Sequence, residues 1–139
     1  MMLDTNIVSY IMRGSREAMM YLPLLQDKVL CVSFITVGEL YFWAEKKRWG
    51  YQKRLQLENV LKKYVVIPYD FRIAKCYAKV RAERERKGLP ISCADAWIAA
   101  SAVRHDVPIV THNVRDFRNI SNLHVISEAD EGRYSGQRD

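Results

Sequence analysis

Residues 92–111, SCADAWIAASAVRHDVPIVT, predict a helix followed directly by a strand. Ser92 is a preferred residue type for a helix N-cap, and the alanine-rich stretch after it predicts a helix that ends at about His105. Small alanine side chains would let that helix pack its backbone closely against a neighbour. The short apolar run from Pro108 to Thr111 predicts a buried strand. A helix followed by a strand of this kind is typical of an α/β sheet.

The same alternation extends over the rest of the chain. Short apolar runs predict strands at residues 1–3, 29–34, 64–68 and 123–126. Amphipathic or capped stretches between them predict helices at residues 7–12, 16–25, 36–47, 52–63 and 71–87. In the fourth of these helices Leu55, Val60 and Leu61 are predicted to face inward. Strands separated by helices predict an α/β fold, with a parallel central sheet flanked by helices on both faces.

The composition predicts one globular domain. The chain has 139 residues, of which 49% are apolar and 27% charged, and a domain of that size buries a core without staples. No apolar run reaches the roughly 20 residues of a membrane span, and the start of the chain lacks the pattern of a signal peptide. Cys31, Cys76 and Cys93 are widely spaced, which predicts free, mostly buried thiols in a cytoplasmic protein. The domain is expected to cover residues 1–128, and the polar residues 129–139 predict a disordered tail.

The net charge of +6 is distributed unevenly. Between Lys46 and Lys87 there are 14 lysines and arginines against 4 acids, whereas the rest of the chain is acidic on balance. Such a basic segment predicts contacts to the phosphate backbone of a nucleic acid. The candidates are Lys46, Lys47, Arg48, Lys53, Arg54, Arg84, Arg86 and Lys87. Charge alone favours the plainer interpretation, in which these side chains solvate exposed helix faces.

Four acids lie where predicted strands end or where the following helices begin: Asp4, Glu39, Asp95 and Asp116. Ligands of open α/β sheets bind outside the carboxyl ends of the strands, so we expect these side chains to meet at one edge. Clustered carboxylates repel one another unless a cation neutralises them. Mg²⁺ and Mn²⁺ prefer such hard oxygen ligands. The pattern therefore predicts a Mg²⁺ or Mn²⁺ site.

Each acid also has an ordinary structural explanation. Glu39 lies three residues after Thr36, which is the spacing of a capping box, and Asp95 has the same relation to a serine. Asp4 can cap the helix that follows it, and Asp116 can be a turn residue. Taken singly, each structural explanation is the commoner one. The coincidence of all four acids at one edge favours a site.

Four blocks of sequence around these acids resemble the PIN-domain ribonucleases. They are LDTN (residues 3–6), TVGEL (36–40), ISCADAWIAA (91–100) and THNVRDF (111–117). Their order and spacing resemble those of the VapC-like toxins of prokaryotic toxin–antitoxin pairs, over residues 3–127. The resemblance implies a PIN-like domain and a metal-dependent endoribonuclease that hydrolyses RNA phosphodiester bonds.

The resemblance also implies roles for individual residues. The three core acids of the family are matched here by Asp4, Glu39 and Asp95. The fourth acid falls at the position of Asn113 in some relatives and of Asp116 in others, and we assign Asp116. Asn6 and Thr111 match polar positions that line the same site, with Asn113 as a hydrogen-bonding neighbour.

Two protein partners are implied as well. One is a second copy of the chain in a homodimer, and the other is a cognate antitoxin whose tail enters the site. The apolar face of the helix at residues 36–47 is predicted to face inward, so the side chain of Phe42 or Trp43 is expected to point away from the core. Exposed aromatic side chains mark binding surfaces, so we expect the antitoxin there. The alternative is that neighbouring helices cover these rings within the domain.

Other classes of protein fit the pattern less well. A haloacid-dehalogenase-type phosphatase needs an aspartate two positions after the first, where this chain has Asn6. A receiver-type phospho-acceptor needs an acidic pair near its start, and none is present. The remaining alternative is a catalytically silent RNA- or protein-binding module on the same fold. Loss of a core acid would favour that module, and all core acids are present.

Overall fold

A computed structural model of the chain describes residues 1–129. Its strands are β1 (Met2–Leu3), β2 (Cys31–Ser33), β3 (Val65–Ile67), β4 (Ile109–Val110) and β5 (Val125–Ile126). They form one sheet in the order β3-β2-β1-β4-β5, and every neighbouring pair is parallel. The prediction of a parallel central sheet is confirmed.

Six α-helices and one short 3-10 turn occur between the strands of the described part. They are α1 (Thr5–Arg13), α2 (Arg16–Leu25), α3 (Phe34–Lys46), α4 (Tyr51–Leu61), α5 (Phe71–Arg86) and α6 (Cys93–His105), with the 3-10 turn at Val114–Asp116. The pattern predicted the bounds of every helix to within two residues and missed the 3-10 turn. Of the predicted disordered tail, residues 130–139 lie outside the described residues.

The sheet divides the hydrophobic core into two halves. Successive side chains of a strand point to opposite faces, so each central strand contributes to both halves. The half under α5 and α6 receives one residue from each central strand: Met2, Cys31 and Ile109. The half under α1 to α4 receives the next residue: Leu3, Val32 and Val110. Helices therefore cover both faces, as predicted.

Two local predictions about the helices were wrong. α3 begins directly at the end of β2, where Ser33 is the N-cap and its hydroxyl accepts a first-turn backbone N–H at 3.3 Å. Thr36 therefore lies inside α3 and does not cap it. In α4 the side chain of Leu55 is 37% exposed, whereas Leu57 is fully buried. Leu61 is buried and Val60 packs against the core, as predicted, so the prediction for α4 failed for Leu55 and missed Leu57.

The strand order creates a switch point at the centre of the sheet. The chain moves from β1 outward through β2 to β3, and then crosses to β4 on the other side of β1. Segments that leave β1 and β4 at the carboxyl edge therefore diverge, and a crevice opens between them. Asp4 and Thr111, the residues directly after these two strands, lie at this crevice.

Two further features bear on the environment of the protein. No helix within residues 1–129 is long and apolar enough to cross a membrane. The three cysteines are unpaired; Cys31 is buried, Cys76 is half-buried and Cys93 is exposed. The expectation of free thiols agrees with this, but full burial holds for Cys31 alone.

Candidate active site

Asp4 is both the N-cap of α1 and the most buried acid at the carboxyl edge. Its Oδ1 accepts a hydrogen bond from the backbone N–H of Thr5 at 2.8 Å, and its Oδ2 accepts one from the hydroxyl of Thr111 at 2.7 Å. Burial raises the pKa of Asp4 to about 7, against the lowering effect of both hydrogen bonds. The negative charges of Asp95 and Glu39 raise it further. Asp4 therefore caps α1, as predicted, and it also belongs to a cluster of acids.

Glu39 lies in the second turn of α3. Its Oε1 accepts a hydrogen bond from the hydroxyl of Thr5 at 2.8 Å, and that hydroxyl lies 2.9 Å from the hydroxyl of Thr36. The Thr5 hydroxyl has one proton and donates it to Glu39, so Thr36 is the donor to Thr5. The capping-box explanation for Glu39 is wrong, because both members of the supposed box lie inside the helix. The two threonines instead connect α1 to α3 beside the carboxylate.

Asp95 lies in the first turn of α6. Ser92 is the N-cap, as predicted, and its hydroxyl accepts the backbone N–H of Asp95 at 3.2 Å. Burial raises the pKa of Asp95 to about 6, although the hydrogen bond with Ser92 opposes the shift. The charges of Asp116 and Glu39 raise this pKa as well, and the nearby guanidinium of Arg84 lowers it.

The acids form one electrostatic neighbourhood. Asp4 is coupled to Asp95 and to Glu39, and Asp95 is coupled to Glu39 and to Asp116. Asp116 therefore joins the cluster through Asp95. Within residues 1–129 no three acidic, histidine or cysteine side chains are grouped closely enough to hold a metal ion as they stand. The charges of the four acids therefore act on one another at this edge, and their side chains do not form a preformed three-residue coordination site within residues 1–129.

The donor chemistry of this cluster nevertheless fits a divalent cation. The coupled side chains are carboxylates, the hard oxygen ligands that Mg²⁺ and Mn²⁺ prefer. The raised pKa values of Asp4 and Asp95 mean that the protein alone leaves their negative charge poorly compensated. Mg²⁺ usually keeps several waters and takes only one or two carboxylates directly, so it does not require three preformed ligands.

The two candidates for the fourth position differ in their surroundings. Asp116 ends the 3-10 turn after β4, is half-buried, and its charge acts on both Asp95 and Arg84. Asn113 is exposed, and its backbone N–H donates to the hydroxyl of Thr111 at 3.0 Å. Only Asp116 of these two contributes charge to the cluster.

The predicted polar lining residues Thr111 and Asn6 lie in different environments. Thr111 is fully buried, so its hydroxyl supports Asp4 rather than lining an open surface. Asn6 lies beside a cavity of about 300 Å³ between α1, α3 and α4, with Trp43 and Trp49 in its wall. Among the described residues neither polar atom of the Asn6 side chain has a hydrogen-bond partner. Buried polar atoms without partners cost stability unless water or a bound molecule supplies one.

Arg84 is wrongly predicted as a phosphate contact, because its side chain is 4% exposed. Its guanidinium donates to four backbone carbonyl oxygens, those of Leu89, Arg115, Asp116 and Arg118. The available signal was its spacing, since Arg84 follows the buried Val80 by four residues and so continues the inward face of α5. A charged residue at such a position is more often exposed, which is why the pattern alone misled.

His112 is a further residue whose setting the pattern did not reveal. Its Nδ1 lies 2.7 Å from the hydroxyl of Tyr21, and its ring makes edge contacts at 5.7 Å with both Tyr21 and Tyr10. The Tyr21 hydroxyl also accepts the backbone N–H of Glu128 at 3.1 Å. These contacts hold the segment after β4 against α1 and α2.

The other predicted phosphate contacts fall into two groups. The first group is at the end of α3 and the start of α4 and consists of Lys46, Lys47, Arg48, Lys53 and Arg54. Lys46 follows Glu39 by seven residues, which is about 10 Å along a helix axis. The second group, Arg86 and Lys87, ends α5 beside the segment that carries Asp116, since Nζ of Lys87 donates to the carbonyl oxygen of Asn119 at 3.1 Å. The second group is connected directly to the segment of one clustered acid.

The aromatic side chains of α3 divide between exposure and burial. Phe42 is 57% exposed, with Nζ of Lys46 at 5.7 Å from its ring centre. Trp43 is half-buried and packs against the core half under α1 to α4. The prediction of an exposed ring is confirmed for Phe42, and the alternative of coverage within the domain holds for much of Trp43.

Comparison with known proteins gives consistent matches over most of the chain. The family model described as PIN domain matches residues 1–123. The chain is 32% identical over 124 residues to ribonuclease VapC2 of Haemophilus influenzae, covering 88% of this chain and 92% of that protein. It is 31% identical over 124 residues to the tRNA(fMet)-specific endonuclease VapC of Salmonella typhimurium, covering 89% and 94%. A crystal structure of VapBC2 from Rickettsia felis, bound to a DNA fragment from its promoter, has a TM-score of 0.81 at 29% identity, covering 91% of this chain and 96% of that chain.

Proposed function

This chain belongs to the PIN-domain family, and from that premise we propose that it is the endoribonuclease toxin of a toxin–antitoxin pair. The proposal is supported by relatives named as ribonucleases and by a similar structure described as VapBC. The observation that carries it is the electrostatic coupling of Asp4, Glu39 and Asp95 beside the switch point. A catalytically silent binding module has no need to keep these acids together at the cost of their repulsion.

We assign metal binding and catalysis to four carboxylates, Asp4, Glu39, Asp95 and Asp116, with Mg²⁺ or Mn²⁺ as the cofactor. When bound, the cation supplies charge stabilisation to the phosphate and acidifies the attacking water. The chain's own part is to present the carboxylates, and the hydrogen bonds from Thr111 and Thr5 favour the ionised form of Asp4 against the effect of burial. On binding a cation, Asp4 and Asp95 would release to solvent any proton that they hold.

The experiment is RNA cleavage by the purified protein, with and without EDTA, on structured and unstructured RNA. Asp4→Asn and Asp95→Asn should each abolish cleavage, because each removes a carboxylate from the centre of the cluster. Asp27→Asn is the matched control, since Asp27 is exposed and asparagine tolerates its left-handed backbone. Cleavage that persists in EDTA or survives Asp4→Asn contradicts the mechanism. RNA binding without cleavage by the wild-type chain would favour the silent module.

We propose that the RNA backbone binds first at the basic group beside the acids, Arg86 and Lys87. Arg86→Gln should weaken RNA binding and reduce its dependence on salt, because one phosphate contact releases about one counterion. Lys46→Gln should have the smaller effect, since that residue lies farther along α3. Lys79→Gln, an exposed change on the same helix as Arg86, is the control. Affinity that barely changes between low and physiological salt would exclude backbone contacts as the main source of binding.

We propose that the antitoxin binds where Phe42 is exposed and the cavity beside Trp43 opens. Arg13, Lys47 and Lys53 line this cavity together with aromatic rings, so it suits an amphipathic helix that carries acidic side chains. Phe42→Ser, alone and with Trp43→Ser, should release a co-expressed antitoxin without abolishing Mn²⁺ binding. The single change is the cleaner test, because Trp43 also packs in the core.

Met19→Ser is the matched control for the antitoxin experiment. Met19 is 68% exposed and lines a separate apolar cavity of about 520 Å³ beside α2. Release by Met19→Ser but not by the change at Phe42 would place the antitoxin on α2. An unchanged copurification ratio for the Phe42 and Trp43 double variant also contradicts the proposed groove.

We further propose that the chain is a cytoplasmic homodimer. In support, the edge strand β3 exposes Val65 and Val66, and Phe71 is 71% exposed at the start of α5. Exposed apolar side chains on an edge strand favour pairing with another chain. Light scattering should give twice the mass of the chain, and Val66→Lys should give a monomer. A wild-type monomer at micromolar concentration would contradict the homodimer, and recovery of the chain outside the cytoplasmic fraction would contradict the location.

A further inference from the structure

The side chain of Arg84 joins two segments that are distant in the sequence. Its Nε donates to the carbonyl oxygen of Leu89 at 2.6 Å, and its Nη1 donates to that of Arg118 at 2.7 Å. Longer contacts reach the carbonyl oxygens of Asp116 at 3.3 Å and Arg115 at 3.5 Å. One guanidinium thus connects the end of α5 to the segment that carries the fourth acid of the cluster.

The partners of Arg84 are carbonyl groups, although carboxylates are nearby. Among the ion pairs of residues 1–129, none includes Arg84. Its charge still acts on Asp116 and on Asp95. An ion pair would occupy the carboxylate oxygens that a cation needs. Carbonyl partners satisfy the buried guanidinium and leave those oxygens available.

We propose that Arg84 is a positioning residue for the metal site: its planar fork of donors holds the backbone of Asp116 so that the carboxylate is directed at the cluster. Its positive charge also reduces the repulsion among the acids. This inference rests on the proposed function, because it concerns the fourth acid of the proposed site. A lysine at this position would keep the positive charge, but its compact ammonium group cannot replace the planar set of donors of the guanidinium.

The first test measures metal affinity and local order in Arg84→Lys and Arg84→Met. Calorimetry with Mn²⁺ alone should show affinity lowered about tenfold or more in both variants, the size expected when a partner that supports a metal ligand is lost. Hydrogen exchange of the backbone N–H groups of residues 115–118 should become faster in Arg84→Lys. Lys79→Met, which removes an exposed charge from α5, should change neither quantity. If Arg84→Met fails to fold, Arg84→Lys alone decides the outcome.

The second test separates positioning from general stability. If Arg84 acts through Asp116, then Arg84→Lys should have almost no further effect on Mn²⁺ affinity in an Asp116→Asn background. An effect that adds fully to that of Asp116→Asn overturns the inference, and so does wild-type Mn²⁺ affinity in Arg84→Lys. Both results leave the proposed function intact, provided that the wild-type chain binds Mn²⁺ and cleaves RNA. If the wild-type chain neither binds Mn²⁺ nor cleaves RNA, both the inference about Arg84 and the proposed function are overturned.

Discussion

The hydroxyl of Thr111 donates a 2.7 Å hydrogen bond to Oδ2 of Asp4, across 107 residues of sequence. The two residues follow β4 and β1, the neighbouring strands at the switch point of the sheet. Burial raises the pKa of Asp4 to about 7, and this bond is the largest influence that lowers it. The ionisation of Asp4 near neutral pH therefore depends on a residue from the other end of the domain.

Thr111→Val should move the pH profile of RNA cleavage to higher pH. A hydrogen bond to a charged group contributes about 1.5 kcal/mol or more, and 1.36 kcal/mol corresponds to one pKa unit, so the shift should be about one pH unit. The measurement is kcat/KM between pH 5.5 and 9 at fixed Mg²⁺. Thr111→Ser keeps the hydroxyl and should keep the wild-type profile. A valine variant with an unshifted profile would mean that Asp4 does not control the rate.

The contribution of Asp4 and Asp95 to the stability of the metal-free protein should fall as the pH rises from about 4 to about 7. The pKa values of Asp4 and Asp95 are raised from 3.8 to about 7 and about 6, so the folded chain holds protons that the unfolded chain has already lost. Stability falls with pH wherever the folded state binds more protons, and this contribution is largest below pH 4. Urea unfolding in EDTA should show wild type losing stability relative to Asp4→Asn across this window. If the difference in unfolding free energy between the two proteins stays constant across this pH window, the raised pKa of Asp4 is contradicted.

Divalent cations should stabilise the protein more at pH 7.5 than at pH 5. Cation binding requires ionised carboxylates. The pKa values of Asp4 and Asp95, about 7 and about 6, lie between pH 5 and pH 7.5. A ligand at 100 times its Kd adds about 2.7 kcal/mol to the free energy of unfolding. The increase in Tm with Mg²⁺ or Mn²⁺ measures this, and Asp95→Asn should reduce it at pH 7.5. An equal increase at both pH values would place the cation away from these acids.

Two leucines of α4 should respond differently to truncation. Leu57 is fully buried in the core half under α1 to α4, so Leu57→Ala should cost about 2–5 kcal/mol of unfolding free energy. Leu55 is 37% exposed, and Leu55→Ala should stay within about 0.5 kcal/mol of wild type. Urea unfolding of both variants measures the difference. The opposite order would mean that Leu55 faces inward, as the periodicity predicted, and that Leu57 does not.

The elements of the fold were determined by interactions within a few residues of sequence. Asp70 and Ser92 cap their helices by accepting N–H groups three residues ahead, at 2.7 Å and 3.2 Å. Short apolar runs mark the strands, because a buried strand needs apolar side chains on both faces. These are local relationships, so the pattern located every strand and α-helix of the described residues and missed only the 3-10 turn.

Tertiary structure decided what each side chain contacts. β2 leads straight into α3, so Ser33 takes the capping role that the spacing assigned to Thr36. Arg84 is buried because the segment after β4 presents carbonyl groups to it, and no pattern within α5 contains that segment.

The acids could be read from the sequence as residues near strand ends or helix starts, but their coupling depends on how the strands and helices pack together. Thr111 donates a hydrogen bond to Asp4, and the two residues meet because β4 pairs with β1. The strand order β3-β2-β1-β4-β5 brings together residues that are far apart in the sequence. Local residue patterns therefore determined the elements, the candidate acids and the caps at Asp4 and Ser92. Long-range packing decided which acids interact with one another and how far burial raises the pKa values of Asp4 and Asp95.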